Sequence, residues 1–86
     1  FKPEIKSGES LQKLIDLLKQ VTISVDSTNN LIVLKTLSGN AGTAGMVVDH
    51  MNLVGVMGTI SGDDTLLIIS KSNSDAEIIK KTLSAL

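Results

Sequence analysis

Two adjacent carboxylates are the residues of this sequence most able to do chemistry. Asp63 and Asp64 follow Gly62 in a short polar break, Ser61 to Asp64, between two apolar stretches. Gly and Asp are ordinary turn residues, so a solvated hairpin tip is one reading. The other is a cation site: two carboxylates fixed by a tight turn repel each other and favour a shared positive partner. A guanidinium suits such a pair, because its planar fork of donors matches carboxylate oxygens two at a time.

Asp49 is a third candidate acid, near the end of an expected helix. A carboxylate there opposes the helix dipole at a cost of about 0.5 kcal/mol unless a cation is near. An exposed helix-surface acid is the alternative. Upstream, Ser38-Gly39-Asn40-Ala41-Gly42-Thr43 leads into the start of that helix. Backbone N–H groups and the positive dipole end are receptive to a carboxylate or phosphate. No Gly-Lys-Ser/Thr follows, so this is not a P-loop. Taken alone the loop reads as a plain helix start. Together with the aspartates it points to a ligand with one anionic and one cationic end, as in a basic amino acid.

The sole histidine, His50, follows Asp49, but neighbouring helix residues point about 100° apart and form no dyad. It reads as a surface or interface residue. No serine has a nucleophile-elbow context and no histidine spacing suits a metal. The three aspartates could hold Mg²⁺ through oxygen ligands, the main enzyme-like alternative, but without an identifiable nucleophile or base. A ligand sensor that is not an enzyme is the preferred reading, and no catalytic residue, metal or cofactor is expected.

These residues need a scaffold, and 86 residues supply one modest domain. The apolar fraction of 42% is that of a globular chain. There is no cysteine, which excludes disulfides, thiolate metal sites and a cysteine nucleophile and fits a reducing, cytoplasmic setting. No apolar run approaches the roughly 18 residues of a membrane span. All eight basic residues are lysines, and Phe1 is the only aromatic. Without arginine forks or stacking rings, nucleic-acid binding by this segment itself is not expected. The chain opens on Phe1 rather than Met, so a piece of a longer protein is expected, with residues 1–8 the end of an interdomain linker and 9–86 the domain.

The hydropathy pattern places the elements. Ser10 can cap a helix whose Leu11, Leu14, Ile15 and Leu18 share one face. Val21, Ile23 and Val25 alternate with polar residues, as in a half-buried strand, and Asp26 to Asn30 form a turn cluster. Leu31 to Leu37 is a second strand. Asn40 or Ser38 can cap a second helix to about His50, whose glycines weaken its intrinsic propensity, so packing or a ligand must favour it. Leu53 to Ile60 and Thr65 to Ser70 are two more strands. Ser74-Asp75-Ala76-Glu77 reads as a capping box for a last helix with Ile78, Ile79, Leu83 and Leu86 inward. The expected fold is an α/β two-layer sandwich (α+β): a four-stranded antiparallel sheet with two helices, ordered β-β-α-β-β-α, after an N-terminal helix. Leu31 to Leu34 and Leu66 to Ile69 are apolar on both faces, so the second face must be covered, most simply by another copy of the chain.

The stretch Gly58-Thr59-Ile60-Ser61-Gly62-Asp63-Asp64-Thr65, with Leu31 to Thr36 and Gly39-Asn40-Ala41 before it, resembles the C-terminal domain of the bacterial arginine repressors. The likeness spans about Val21 to Leu86, and its acidic motif is long and specific. It implies L-arginine as corepressor and trimers paired into hexamers with ligands between them. It also implies operator DNA bound only through a winged helix-turn-helix domain absent from this chain. The resemblance assigns the arginine contacts to Asp63, Asp64, Asp49, Thr59, Ser61, Gly42 and Ala44. One departure stands out: where several members have a glutamine in the helix start, this chain has Gly42.

Overall fold

A computed structural model describes residues 8–86, with side chains from Ser10 onward. The linker expected before the domain therefore lies, save Gly8, outside the described residues. The elements are α1 (Gly8–Val21), β1 (Thr22–Thr28), β2 (Leu31–Thr36), α2 (Ala41–Met51), β3 (Val56–Ser61), β4 (Thr65–Ser70) and α3 (Asn73–Ser84). The four strands form one antiparallel sheet in the order β1-β2-β4-β3. After α1 the order is β-β-α-β-β-α, the sandwich expected from the sequence.

Register fixes which residues share a face. Ile32 pairs with Ile68 and Leu34 with Leu66, and all four are fully buried. They lie beneath α2 and α3, with α3 nearer β1 and β2 and α2 nearer β3 and β4. Leu18 and Val21 of α1 join the same core beside Ala44, Val47 and Val48 of α2. So α1 packs in the helix layer and leaves the opposite face alone. That face carries the pairs Leu31–Ile69 and Val33–Leu67, with Ile60 beside Leu67.

Packing explains why a glycine-rich stretch is helical. Ala41, Ala44, Gly45, Val47 and Val48 of α2 are all buried. A Cβ on Gly45 would stand 3.1 Å from Leu66 Cδ1, so the small residue permits the close approach of helix and sheet. Gly55 has φ +90°, and a Cβ there would come within 2.7 Å of the Asp75 carboxyl carbon. The α2–β3 connection thus needs glycine twice over, for conformation and for space.

Several local expectations are corrected. The helix α1 begins at Gly8, ahead of Ser10, and runs on through Val21, which joins the core from the helix. Strand β1 runs through Asp26-Ser27-Thr28 and turns only at Asn29-Asn30, Asn29 taking φ +51°. Ile23 falls at an irregularity in the β1–β2 register and is 65% exposed, so strict alternation fails there. Strand β3 begins at Val56, after Gly55, rather than at Leu53. No side chain caps α2: Asn40 occupies the cap position but its amide donates to the Ser38 carbonyl. Helix α3 is capped by Ser72, whose hydroxyl accepts from the Asp75 N–H, and not by Ser74. Its buried residues are Ala76, Ile79 and Leu83, which turns Ile78 outward, about 100° from Ile79.

Candidate functional site

Gly42, Gly45, Met46 and Asp49 recur at the spacing that puts residues on one face of a helix. Across from them, Thr59 and Ser61 alternate on β3 and pair with the core residues Ile68 and Leu66, so they point toward α2. These six residues and His50 line an open cleft of about 540 Å³ between helix and strand. Its size falls within the range of small-molecule sites. Thr59 Oγ1 donates to Asp49 Oδ1 at 3.1 Å and holds the carboxylate at the cleft edge. His50 does not pair with Asp49; its Nδ1–H donates to the Met46 carbonyl at 2.8 Å, since a carbonyl can only accept. Gly42 leaves room, the nearest atom to an added Cβ being Ser61 Oγ at 4.0 Å.

Asp63 and Asp64 stand elsewhere, at the tip of the β3–β4 hairpin, which closes with Gly62 N–H donating to the Thr65 carbonyl at 2.9 Å. The tip is stitched to the β2–α2 connection through its backbone: Ala41 N–H donates to the Asp63 carbonyl and Thr36 N–H to the Asp64 carbonyl. Side chains continue the work. Ser38 Oγ and Gly39 N–H both donate to Asp63 Oδ2 at 3.2 Å. The first N–H of α2 and the glycine before it are therefore served by the chain's own aspartate. Gly42 and Thr43 carry the next N–H groups, which a helix does not use internally.

Asp64 faces different neighbours. Thr65 Oγ1 donates to Asp64 Oδ1 at 3.0 Å, and Lys35 Nζ stands 3.7 Å from the same oxygen. Each aspartate thus engages one oxygen within the chain, Oδ2 in Asp63 and Oδ1 in Asp64. Two exposed carboxylates, each anchored through one oxygen, form an acceptor surface for a multi-donor cation.

Of the residues predicted for the site, Gly42, Asp49, Thr59 and Ser61 come together in the cleft. Asp63 and Asp64 are together on the hairpin, outside that lining, and Ala44 is wholly buried in the core. Gly45, Met46 and His50 were not foreseen as lining residues. The stripe 42, 45, 46, 49 was the available signal for two of them. Among the described residues, no group of three or more acids, histidines or cysteines is gathered to hold a metal ion, and Asp49 stands in the cleft apart from Asp63 and Asp64 on the hairpin.

Fold and site together define a class: a β-β-α-β-β-α sandwich with an acid-edged cleft under its second helix and an anchored acidic hairpin beside it. The family profile of the arginine repressor C-terminal domain matches residues 18–85. The chain is 48% identical over 69 residues to the arginine repressor of Halalkalibacterium halodurans, covering 80% of this chain and 46% of that protein. It is 47% identical to the arginine repressor of a Geobacillus species over 94% of this chain and 54% of that protein. The Staphylococcus aureus arginine repressor is 42% identical over the same shares. The chain belongs to the arginine repressor family, a family of transcription regulators and not of enzymes. It spans about half the length of these relatives.

Proposed function

We propose that this domain is the L-arginine sensor and assembly module of an arginine-responsive repressor acting in the cytoplasm on genes of arginine metabolism. Operator binding belongs to a separate DNA-binding domain, in keeping with the absence here of arginine and of any aromatic but Phe1. The observation that carries the reading is the division of the acids in a chain of this family. Asp49 sits in the cleft, while Asp63 and Asp64 are exposed at the hairpin tip, each anchored through one oxygen. One protomer offers half a site on each feature. Copies packed as trimers and hexamers bring a hairpin of one against a cleft of another, with L-arginine between them. The guanidinium goes to the acids, and the ligand carboxylate to the helix-start N–H groups near Gly42 and Thr43.

The apolar sheet face, with Leu31, Val33, Leu67 and Ile69, supports self-association in the same way. Among the described residues no helix is long and apolar enough to cross a membrane. Titration calorimetry with L-arginine, run beside light scattering, tests the reading. L-Arginine is expected to bind and to favour the larger assembly, because a ligand shared by subunits stabilises them by mass action. Asp64→Asn is expected to weaken binding more than about tenfold, as loss of one partner in a buried charge pair does. Equal binding of citrulline, which is isosteric but uncharged, would sink the cation-site argument. No heat with either ligand would leave a purely structural assembly module.

A further inference from the structure

Lys35 and Thr65 are directly opposite in the β2–β4 register, on the sheet face away from the helices. Lys35 Nζ donates to Thr65 Oγ1 at 2.7 Å, and Thr65 Oγ1 donates to Asp64 Oδ1 at 3.0 Å. The polarity of this chain is fixed. An ammonium can only donate, so the threonine oxygen accepts from Lys35 and its own proton is directed to the carboxylate. The ammonium itself is 3.7 Å from Asp64 Oδ1, beyond a good hydrogen bond. Both ends of that ion pair are about half exposed, so it contributes little to stability in its own right. The geometric effect of the chain is larger: the Thr65 hydroxyl, itself held by Lys35, engages Oδ1 of Asp64 and not Oδ2.

We propose that Thr65 is the positioning residue for the Asp64 carboxylate and that Lys35 acts through it, so that Oδ1 is spent internally and Oδ2 is presented to the ligand cation. This rests on the reading of Asp64 as a ligand-binding residue. The arrangement differs from that of Asp63, whose Oδ2 is held by Ser38 and the Gly39 backbone, with no ammonium involved. The two neighbours are thus oriented by independent devices from two different strand ends. A lysine used this way also places a like charge beside the incoming cation. It is tolerable because the ammonium is held against the Thr65 hydroxyl and faces Oδ1, the oxygen to which that hydroxyl also donates.

The test is calorimetric titration of the whole chain with L-arginine, on four variants and a double. Thr65→Val keeps the shape and removes the hydroxyl; it is expected to weaken binding about tenfold. Thr65→Ser restores the hydroxyl and binds as the unaltered chain does. Lys35→Met keeps the stem and is expected to weaken binding about threefold, a smaller effect suited to an exposed pair. Because Lys35 acts through the hydroxyl, the Lys35→Met and Thr65→Val double variant binds no more weakly than Thr65→Val alone. Melting temperature and assembly size without ligand stay unchanged in all of these, so the loss is read in affinity alone, and the rescue by serine and the non-additive double variant mark the positioning role. Full affinity in Thr65→Val, additive losses in the double variant, or a loss of assembly in Lys35→Met overturns the inference. Asp64→Asn separates the levels: if it too binds normally, the assignment of Asp64 fails, whereas if it alone is weak, only the relay fails.

Discussion

The two faces of the sheet are built from nearly the same residue types and meet opposite fates. On one, Ile32, Leu34, Leu66 and Ile68 are completely buried under three helices. On the other, Leu31, Val33, Leu67 and Ile69 alternate with them along the same strands and are only half-buried, while Ile60 is 63% exposed. A strand that faced water on one side would carry polar residues there. Strands β2 and β4 instead read like the inside of a protein on both sides. Since α1 joins the helix layer, all three helices of the described residues lie on one face. The difference teaches that the described elements cover one apolar face and leave its twin open, and it is on this open face that the proposed assembly rests.

The same substitution on adjacent residues breaks that comparison most sharply. Ile68→Lys places an unpaired ammonium in the core, a penalty of roughly 5 kcal/mol or more, comparable to the whole stability of a small domain. The expected outcome is an unfolded chain, read as loss of the helical circular dichroism signal. Leu67→Lys, one residue away, points to the open face. It is expected to keep the fold but to raise the concentration for half-assembly at least about a hundredfold, as a charge buried at an interface does. Light scattering across a dilution series checks this. A Leu67→Lys protein that assembles normally would show that the open face is not the subunit contact.

Part of this contrast was legible in the sequence, because continuous apolar runs mark strands whose two faces both favour burial. The four strands, the hairpin order and the acid-bearing turn followed from period-two alternation in the first strand, apolar runs in the others and the turn residues between them. What escaped was decided by tertiary context. Ile23 and Ile78 are as apolar as their neighbours, but a register irregularity exposes one and the 100° step exposes the other. The glycines of α2 signalled weakness as a helix; that they mark a close approach to Leu66, and with Met46 a cleft wall, needs the opposing strand. The hairpin acids were seen as one pair. Their separate anchors depend on Ser38 and Lys35, some 25 and 30 residues away in the chain.

The smallest expected effect concerns the helix face alone and turns on which serine starts α3. The sequence offers Ser74 with Glu77 three residues on, a capping-box pattern. In the fold, Ser72 has extended backbone and its hydroxyl accepts from the Asp75 N–H at 3.1 Å, while its carbonyl accepts from Ser70 Oγ at 2.9 Å. Asp75 sits in the first turn, where its charge favours the positive dipole end, and its side chain lies against Gly55. The cap therefore ties the end of β4, the start of α3 and the α2–β3 connection to one point. Ser72→Ala is expected to lower unfolding free energy by about 1 kcal/mol, the usual cost of a lost serine cap. Ser74 is exposed inside the helix, and its hydroxyl reaches only Ser72 Oγ at 3.1 Å. Ser74→Ala is expected to change stability by less than about 0.5 kcal/mol, as surface substitutions do. Neither replacement touches the open face, so assembly size stays constant in both. Urea denaturation of the two variants at one protein concentration decides the matter: equal midpoints, or a larger loss at Ser74, would return the cap to the position that the sequence pattern favoured.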